Sequence, residues 1–307
     1  MQVFGKSIRI YLKDGTVTGI RIGEIVNQTI QSVACPRNRV AELKNYPEAN
    51  KPGVYFLFGD DSETGGNRAY IGEAENVFDR LQDHLAKKEF WSEVIFFISK
   101  DENLTKSHVK FLESHAIRIA NLTKRYIIEN GNQSQASSLP SADKDAMEEF
   151  MVYVKLLLGI FGHKFLEELT PLKIKTVDNK GTTIISQLEN NAANNKPVSL
   201  ELFLSVSGLK ASAIQTDEGV VVLPESEAST EITSSLSMGY RNLREKLITN
   251  GTLKLIGSKY IFQNQYLFDS PTPAAAIIVG YNISGPQNWK DIFGKSLKEI
   301  EIQKALS

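Results

Sequence analysis

The sequence predicts an α+β protein: a small mixed sheet flanked by helices, followed by a separate C-terminal α+β domain. Three observations predict it. Strand-like alternation or short apolar runs recur at 6–30, 53–72 and 199–226. Helical apolar spacing appears between and after them, at 75–88, 104–122 and 238–251. Two polar stretches, 131–145 and 188–197, divide the chain. The expected organisation is an N-terminal hairpin and helix (1–50), a compact catalytic-type module (51–132), a linker with a connecting helix (133–198) and a C-terminal domain (199–307).

Taken in order, SIRIYLKDGTVTGIRIGEIV alternates around Asp14-Gly15, a hairpin signal. PRNRVAELKNYPEA (36–49) reads as a short helix. GVYFLFG and NRAYIG read as two strands joined by the polar loop DDSETGG. ENVFDRLQDHLAKK places Val77, Phe78, Leu81 and Leu85 on one helical face, with Asn76 and Asp79 as a capping pair. EVIFFIS is a third strand, and LTKSHVKFLESHAIRIANL a second helix. A helix of about 20 residues is expected after 145, reaching to near Leu169. In the last segment three strands precede the helix MGYRNLREKLITNG, closed by Gly251. A hairpin follows, turning at Gly257-Ser258, and then the helix PAAAIIVG, with Ser270 as N-cap and Pro271 at its first position.

The chain has 307 residues, enough for two domains, with ordinary hydrophobic (41%) and charged (23%) fractions. One cysteine rules out an internal disulfide, and with 4 histidines it argues against structural zinc. Any metal should be a hard cation on oxygen ligands. MQVFGKSIRIYLKDG lacks an apolar h-region, so no secretion signal is expected there, and the apolar stretch MVYVKLLLGIFG is too short to cross a bilayer. The expectation is a soluble cytoplasmic protein with no membrane partner. A net charge of −1 argues against coating nucleic acid through bulk charge and leaves room for a local basic patch.

The chemistry-bearing residues lie in 51–132. Tyr55 and Tyr70 sit on neighbouring strands, so both hydroxyls can share a face. Arg80 and His84 are four apart on the following helix. Glu113 interrupts an apolar helical stripe. This set suits phosphodiester hydrolysis. A guanidinium stabilises the non-bridging oxygens. One carboxylate with waters and phosphate oxygens can hold Mg²⁺ or Mn²⁺. A phenol or imidazole can take the proton of an attacking water. Each residue alone has an ordinary reading, as a packed aromatic, a solvated charge or a surface histidine; the combination is what carries the signal. His108, His115 and His163 show no metal-ligand spacing and read as surface or satisfied histidines. Trp91, Phe90 and Trp289 read as core.

GVY (53–55), AYIG (69–72), Arg80, His84, Glu113 and Asn130 together resemble the signature of the GIY-YIG nuclease family, over about 80 residues. The resemblance implies a GIY-YIG-type mixed sheet and single-metal endonuclease chemistry on nucleic acid, with DNA the first expectation. It implies catalytic roles for Tyr55, Tyr70, Arg80, His84 and Glu113, with Glu113 holding the metal and Tyr55 favoured as general base. Two departures stand out: Val replaces Ile in the first motif, and 14 residues separate Tyr55 from Tyr70, more than is usual in the family. RYIIENGN offers two asparagines for the terminal position, and Asn130 is taken as substrate-binding. RNLREKLITNGTL and the segment 266–297 resemble the DUF4357 domain that accompanies some GIY-YIG proteins.

Charge suggests where nucleic acid would run. Residues 99–125 carry six basic and three acidic side chains, and 239–262 five basic and one acidic, whereas 60–93 carry four basic and nine acidic. Lys106 and Lys110 are therefore expected to contact substrate. Two other readings compete: a non-catalytic nucleic-acid-binding scaffold that keeps the fold, and a chain whose specificity lies in its C-terminal domain.

Overall fold

In this computed structural model the residues described are 4–61, 66–131, 137–169, 175–177, 183–185 and 200–306. They fall into two compact units, 4–168 and 169–306. The protein is of mixed α+β class, with a large mixed sheet in the first unit and separate sheets and helices in the second.

The first unit is built on β1 (Ile8–Leu12), β2 (Arg21–Ile25), β3 (Ile30–Pro36), β4 (Gly53–Asp60), β5 (Asn67–Ala74), β6 (Trp91–Ser99) and β7 (Ile127–Ile128). They form one sheet in the order β1-β2-β3-β6-β4-β5-β7, antiparallel except for β5–β7. Both faces are covered. On one, Phe56, Ile71, Ile95 and Phe97 pack with Leu112 and Ala116 of α2 (Lys106–Thr123) and with Phe150 and Val154 of α3 (Ser141–Ile160). On the other, Tyr55, Leu57, Trp91 and Phe96 pack with Val77 and Leu81 of α1 (Val77–Lys87), and with Val40 and Leu43 of a 3₁₀ segment, Arg37–Asn45. Cover on both sides explains why GVYFLF reads as an unbroken apolar run rather than an alternation.

The helix boundaries follow local chemistry. Asn76 accepts from the Asp79 backbone N–H at 3.1 Å, the capping expected of that pair. Thr105 and His108 form a reciprocal capping box at the start of α2. Three expectations are corrected. The segment 30–36 carries β3, which the sequence had not suggested; it pairs with β6 along its full length and welds the N-terminal hairpin into the sheet. Likewise α3 begins at Ser141, inside the stretch expected to be linker, and packs on the core. Pro140 starts it, Asp143 suits its first turn, and Gly162, at φ 99°, ends it short of Leu169. The helix expected at 36–49 is two 3₁₀ segments, Arg37–Asn45 and Pro47–Asn50. The second expected linker, 188–197, lies outside the described residues.

The second unit contains the short antiparallel pair β8 (Lys175–Val177) and β9 (Thr183–Ile185). A four-stranded sheet follows in the order β10-β11-β12-β16, from β10 (Leu200–Val206), β11 (Leu209–Thr216), β12 (Gly219–Val222) and β16 (Tyr266–Phe268). A three-stranded sheet, β13-β15-β14, uses β13 (Glu227–Ala228), β14 (Leu253–Ile256) and β15 (Lys259–Phe262). Its helices are α4 (Met238–Thr249), α5 (Pro271–Val279), α6 (Gly285–Asn288) and α7 (Leu297–Leu306). The apolar run Ala274–Val279 is buried, as an all-apolar helix must be. Ser270 occupies the N-cap position of α5 without a side-chain capping bond. Trp289 is buried and donates through Nε1 to Pro271 O at 3.1 Å. Among the described residues no helix is long and apolar enough to cross a membrane.

Arg244 is 3% exposed and donates to two backbone carbonyls, Ile277 O and Ser229 O, with its guanidinium 5.3 Å over the Tyr260 ring. Arg244→Met should strand both acceptors in the core and destabilise this unit by about 2 kcal/mol. Denaturant unfolding checks this, and an unchanged midpoint would contradict it.

Candidate active site

β4 and β5 bring the two tyrosines together. Tyr55 lies directly across from Gly72, and Tyr70 is two residues before Gly72, so both rings emerge on the α1 side of the sheet. Gly72 is what makes the room: a Cβ there would sit 2.2 Å from the Tyr55 hydroxyl oxygen. One turn of α1 separates Arg80 from His84 and aims both at the same phenol.

Tyr55 is the hub. Its hydroxyl is 2.7 Å from His84 Nε2 and accepts from Arg80 Nε at 3.4 Å. Its ring lies 6.3 Å from that of Tyr70, and the His84 ring is 5.5 Å from Tyr55 and 5.1 Å from Tyr70. The Tyr70 hydroxyl helps hold the Arg80 guanidinium in its charged form, and the Glu113 carboxylate acts on Tyr55 through its charge. Thus Tyr70, Arg80 and His84 meet at Tyr55, while Glu113 of α2 acts on that phenol through its charge. Their exposure divides them: Tyr55 and His84 are buried at 0% and 4%, Tyr70 and Glu113 are half-buried, and the Arg80 side chain is 44% exposed.

Burial pushes the Tyr55 phenol well above its ordinary range; Tyr70 adds to this, and the Arg80 contact partly offsets it. Burial, then the Arg80 and Lys88 cations, push the His84 imidazole down to about 4. At neutral pH His84 is therefore uncharged, and its Nε2 can accept a hydrogen bond from the Tyr55 hydroxyl. The stability consequence has a definite sign. An unfolded imidazole titrates near 6.5, so between pH 6.5 and about 4 the unfolded chain gains a proton that the folded chain refuses. Stability present above pH 6.5 is lost as pH falls through that window, roughly 3 kcal/mol in all. His84→Asn should flatten this loss in denaturant unfolding at successive pH values. Parallel profiles for wild type and variant would contradict it.

The three residues expected to bind substrate are placed differently from one another. Asn130 turns its amide onto β5, with Oδ1 accepting from Ile71 N at 3.0 Å and Nδ2 donating to Ile71 O at 2.7 Å. This side-chain bridge continues the β7 pairing and fixes the backbone beside Tyr70, which is a positioning role. Lys106 is 3.2 Å from Glu73 Oε2 and 3.5 Å from Glu75 Oε2, so its charge is largely compensated. Lys110 is exposed, one turn before Glu113. Asn132, the other candidate for the terminal asparagine, lies outside the described residues.

Two residues escaped the sequence reading. Lys88 places Nζ 4.2 Å over the Tyr70 ring; its spacing of four from His84 was the available signal. Arg37 donates to Leu85 O at 3.0 Å and Lys88 O at 2.6 Å, and lies 4.4 Å over Trp91. It thereby clamps the C-terminal end of the site helix, and no local pattern announces it. The basic stretches are also less free than their counts suggest. Lys100 meets Glu24 at 3.2 Å, Lys259 meets Glu227 at 2.7 Å, Arg244 is buried, and Arg241 bonds Leu236 O and Thr233 O. The other histidines are engaged as satisfied partners: His163 stacks 3.6 Å from Phe58 and meets Glu93 at 3.1 Å, and His115 meets Glu148 at 3.1 Å.

Among the described residues no group of three or more His, Cys, Asp or Glu side chains could hold a metal ion. The donor set is a single carboxylate, Glu113, which fits a hard cation that keeps most of its waters. Two described concavities, of about 750 Å³ and 330 Å³, lie elsewhere: between the β1–β3 face and the 3₁₀ segments, and beside the start of α2.

Comparison with known proteins identifies one domain. A domain of unknown function, DUF4357, matches residues 202–301, within the second unit. No curated protein and no solved structure matches the chain.

Proposed function

We propose that the first unit hydrolyses nucleic-acid phosphodiesters, DNA foremost, through a GIY-YIG-type site in residues 51–132. The DUF4357 domain would then be an accessory to substrate or partner choice. The observation that carries the reading is the meeting of His84, Arg80 and Tyr70 at Tyr55, with the Glu113 charge acting on the same phenol. Packing alone asks for one hydrogen-bond partner on a buried phenol, whereas here an imidazole and a guanidinium both meet it.

In this reading the half-exposed Arg80 donates to the non-bridging oxygens of the phosphate, where negative charge develops. Glu113 would hold Mg²⁺ or Mn²⁺ together with waters and phosphate oxygens. Such an ion supplies Lewis-acid charge and steadies the leaving oxygen. Full burial of Tyr55 favours Tyr70 as the phenol that meets the attacking water, with Tyr55 holding Arg80 and His84 in place. Uncharged His84 holds the Tyr55 phenol by accepting its hydrogen bond at Nε2.

The test is a cleavage panel of single-stranded, duplex and branched DNA and RNA, each with Mg²⁺, with Mn²⁺ and with chelator. The expected result is metal-dependent nicking of at least one substrate. Salt-sensitive binding without cleavage under any metal would replace this reading with a scaffold that keeps the fold. The internally paired lysines weigh against that scaffold, because they leave little free charge for binding alone.

A further inference from the structure

β1 is the outer strand of the seven-stranded sheet, and among the described residues nothing pairs with its free edge. Its orientation can be read from its bonds to β2. Ser7 O accepts from Val26 N at 3.0 Å, and Lys13 N donates to Ile20 O at 3.3 Å. In the same register Arg9 and Tyr11 turn their backbone groups toward β2, so Ile8, Ile10 and Leu12 turn theirs outward. The edge is apolar for its position: Ile10 is 40% and Tyr11 58% exposed. It has neither proline nor bulge, two of the devices that blunt sheet edges. Its charged residue, Arg9, stands beside Tyr11 on the face of the 750 Å³ groove rather than at the outward-bonding positions.

We propose that β1 pairs antiparallel with β1 of a second copy of this chain, about a two-fold axis through Ile10, to make one continuous sheet. The sequence IRIYL complements itself in that register. Arg9 falls opposite Tyr11 of the second copy, a cation–aromatic pair made twice by symmetry. Ile8 falls opposite Leu12, Ile10 opposite Ile10, and Lys13 opposite Ser7. The alternatives are worse. Centring the axis on Arg9 sets two guanidinium groups against each other, and centring it on Tyr11 sets Arg9 against Lys13. A two-fold perpendicular to the sheet keeps the same face up in both copies. The second copy's Tyr11 would then extend the wall of the groove formed by Tyr11, Ile22 and Tyr46. The proposal is independent of the phosphodiesterase reading, since its readout is mass rather than cleavage.

The test uses the full chain in sedimentation velocity over a range of concentrations. Wild type should show a reversible monomer–dimer equilibrium, weakened at least about tenfold by Ile10→Pro, which removes an outward N–H and leaves the β1–β2 ladder intact. Ile10→Lys serves as the second variant, with far-UV circular dichroism to confirm folding. Opposed residues on the axis lie about 5.5 Å apart between Cα atoms, within disulfide reach. Ile10→Cys should therefore cross-link under mild oxidation far faster than Tyr11→Cys, and buried Cys35 does not compete. A wild type that stays monomeric, a dimer indifferent to Ile10→Pro and Ile10→Lys, or equal cross-linking of the two cysteine variants would each overturn the proposal.

Discussion

Arg80→Ala should lower single-turnover cleavage by about 10²–10³-fold while leaving the fold almost untouched. The two halves of this expectation have separate causes. The Arg80 side chain is 44% exposed, and its ion pair with Asp83 is a surface contact at 3.6 Å, worth little to stability. Its bond to the Tyr55 hydroxyl, at 3.4 Å, is long. What the variant loses is a planar donor aimed where phosphate charge grows, and a lost donor of that kind typically costs two to three orders of magnitude. Arg80→Lys should recover little, because a point charge cannot reproduce the guanidinium fork. Single-turnover kinetics beside a melting curve separate the two effects. Full activity in Arg80→Ala would remove Arg80 from the reaction.

Gly72→Ala should damage both fold and site. The added methyl would lie 2.2 Å from the Tyr55 hydroxyl oxygen and 2.3 Å from its ring carbon, in a strand pair buried on both faces. Tyr55 has no exposed surface and nowhere to retreat except by breaking its contact with His84. Overpacking of this kind costs about 1–3 kcal/mol. The displaced phenol should also release His84 and raise the imidazole titration from about 4 toward its ordinary value. NMR titration of His84 in the variant measures that shift. An unmoved titration together with unchanged stability would mean that the glycine is not there for Tyr55.

Much of the site was legible in the sequence because its spacing rules are local. Two tyrosines on adjacent strands and an Arg and His one turn apart follow from strand and helix periods alone. The parts that were not legible depend on distant partners. Lys106 looked free until Glu73 and Glu75 came beside it, and Lys259 until Glu227 did. Arg37 reaches across 51 residues to cap α1. The strand β3 hid because QTIQSVACP mixes in Gln31 and a buried serine, Ser32, whose hydroxyl is satisfied by Gly23 O at 3.0 Å. The start of α3 hid because its first turn, Ser-Ala-Asp-Lys-Asp, has the composition of a linker and packs only later, from Met147 onward. Asn130 was read as a substrate contact because its amide suits one; its bonding to Ile71 is a tertiary fact.

The central claim is that Glu113 serves the same phosphate as the two phenols, the guanidinium and the imidazole. Glu113→Gln keeps size and shape and removes the metal-holding charge, so side-by-side cleavage by wild type and this variant in Mg²⁺ and Mn²⁺ tests it most directly. The account predicts metal-dependent nicking by the wild type and none by the variant, with equal melting temperatures. Equal cleavage by the two proteins would contradict it.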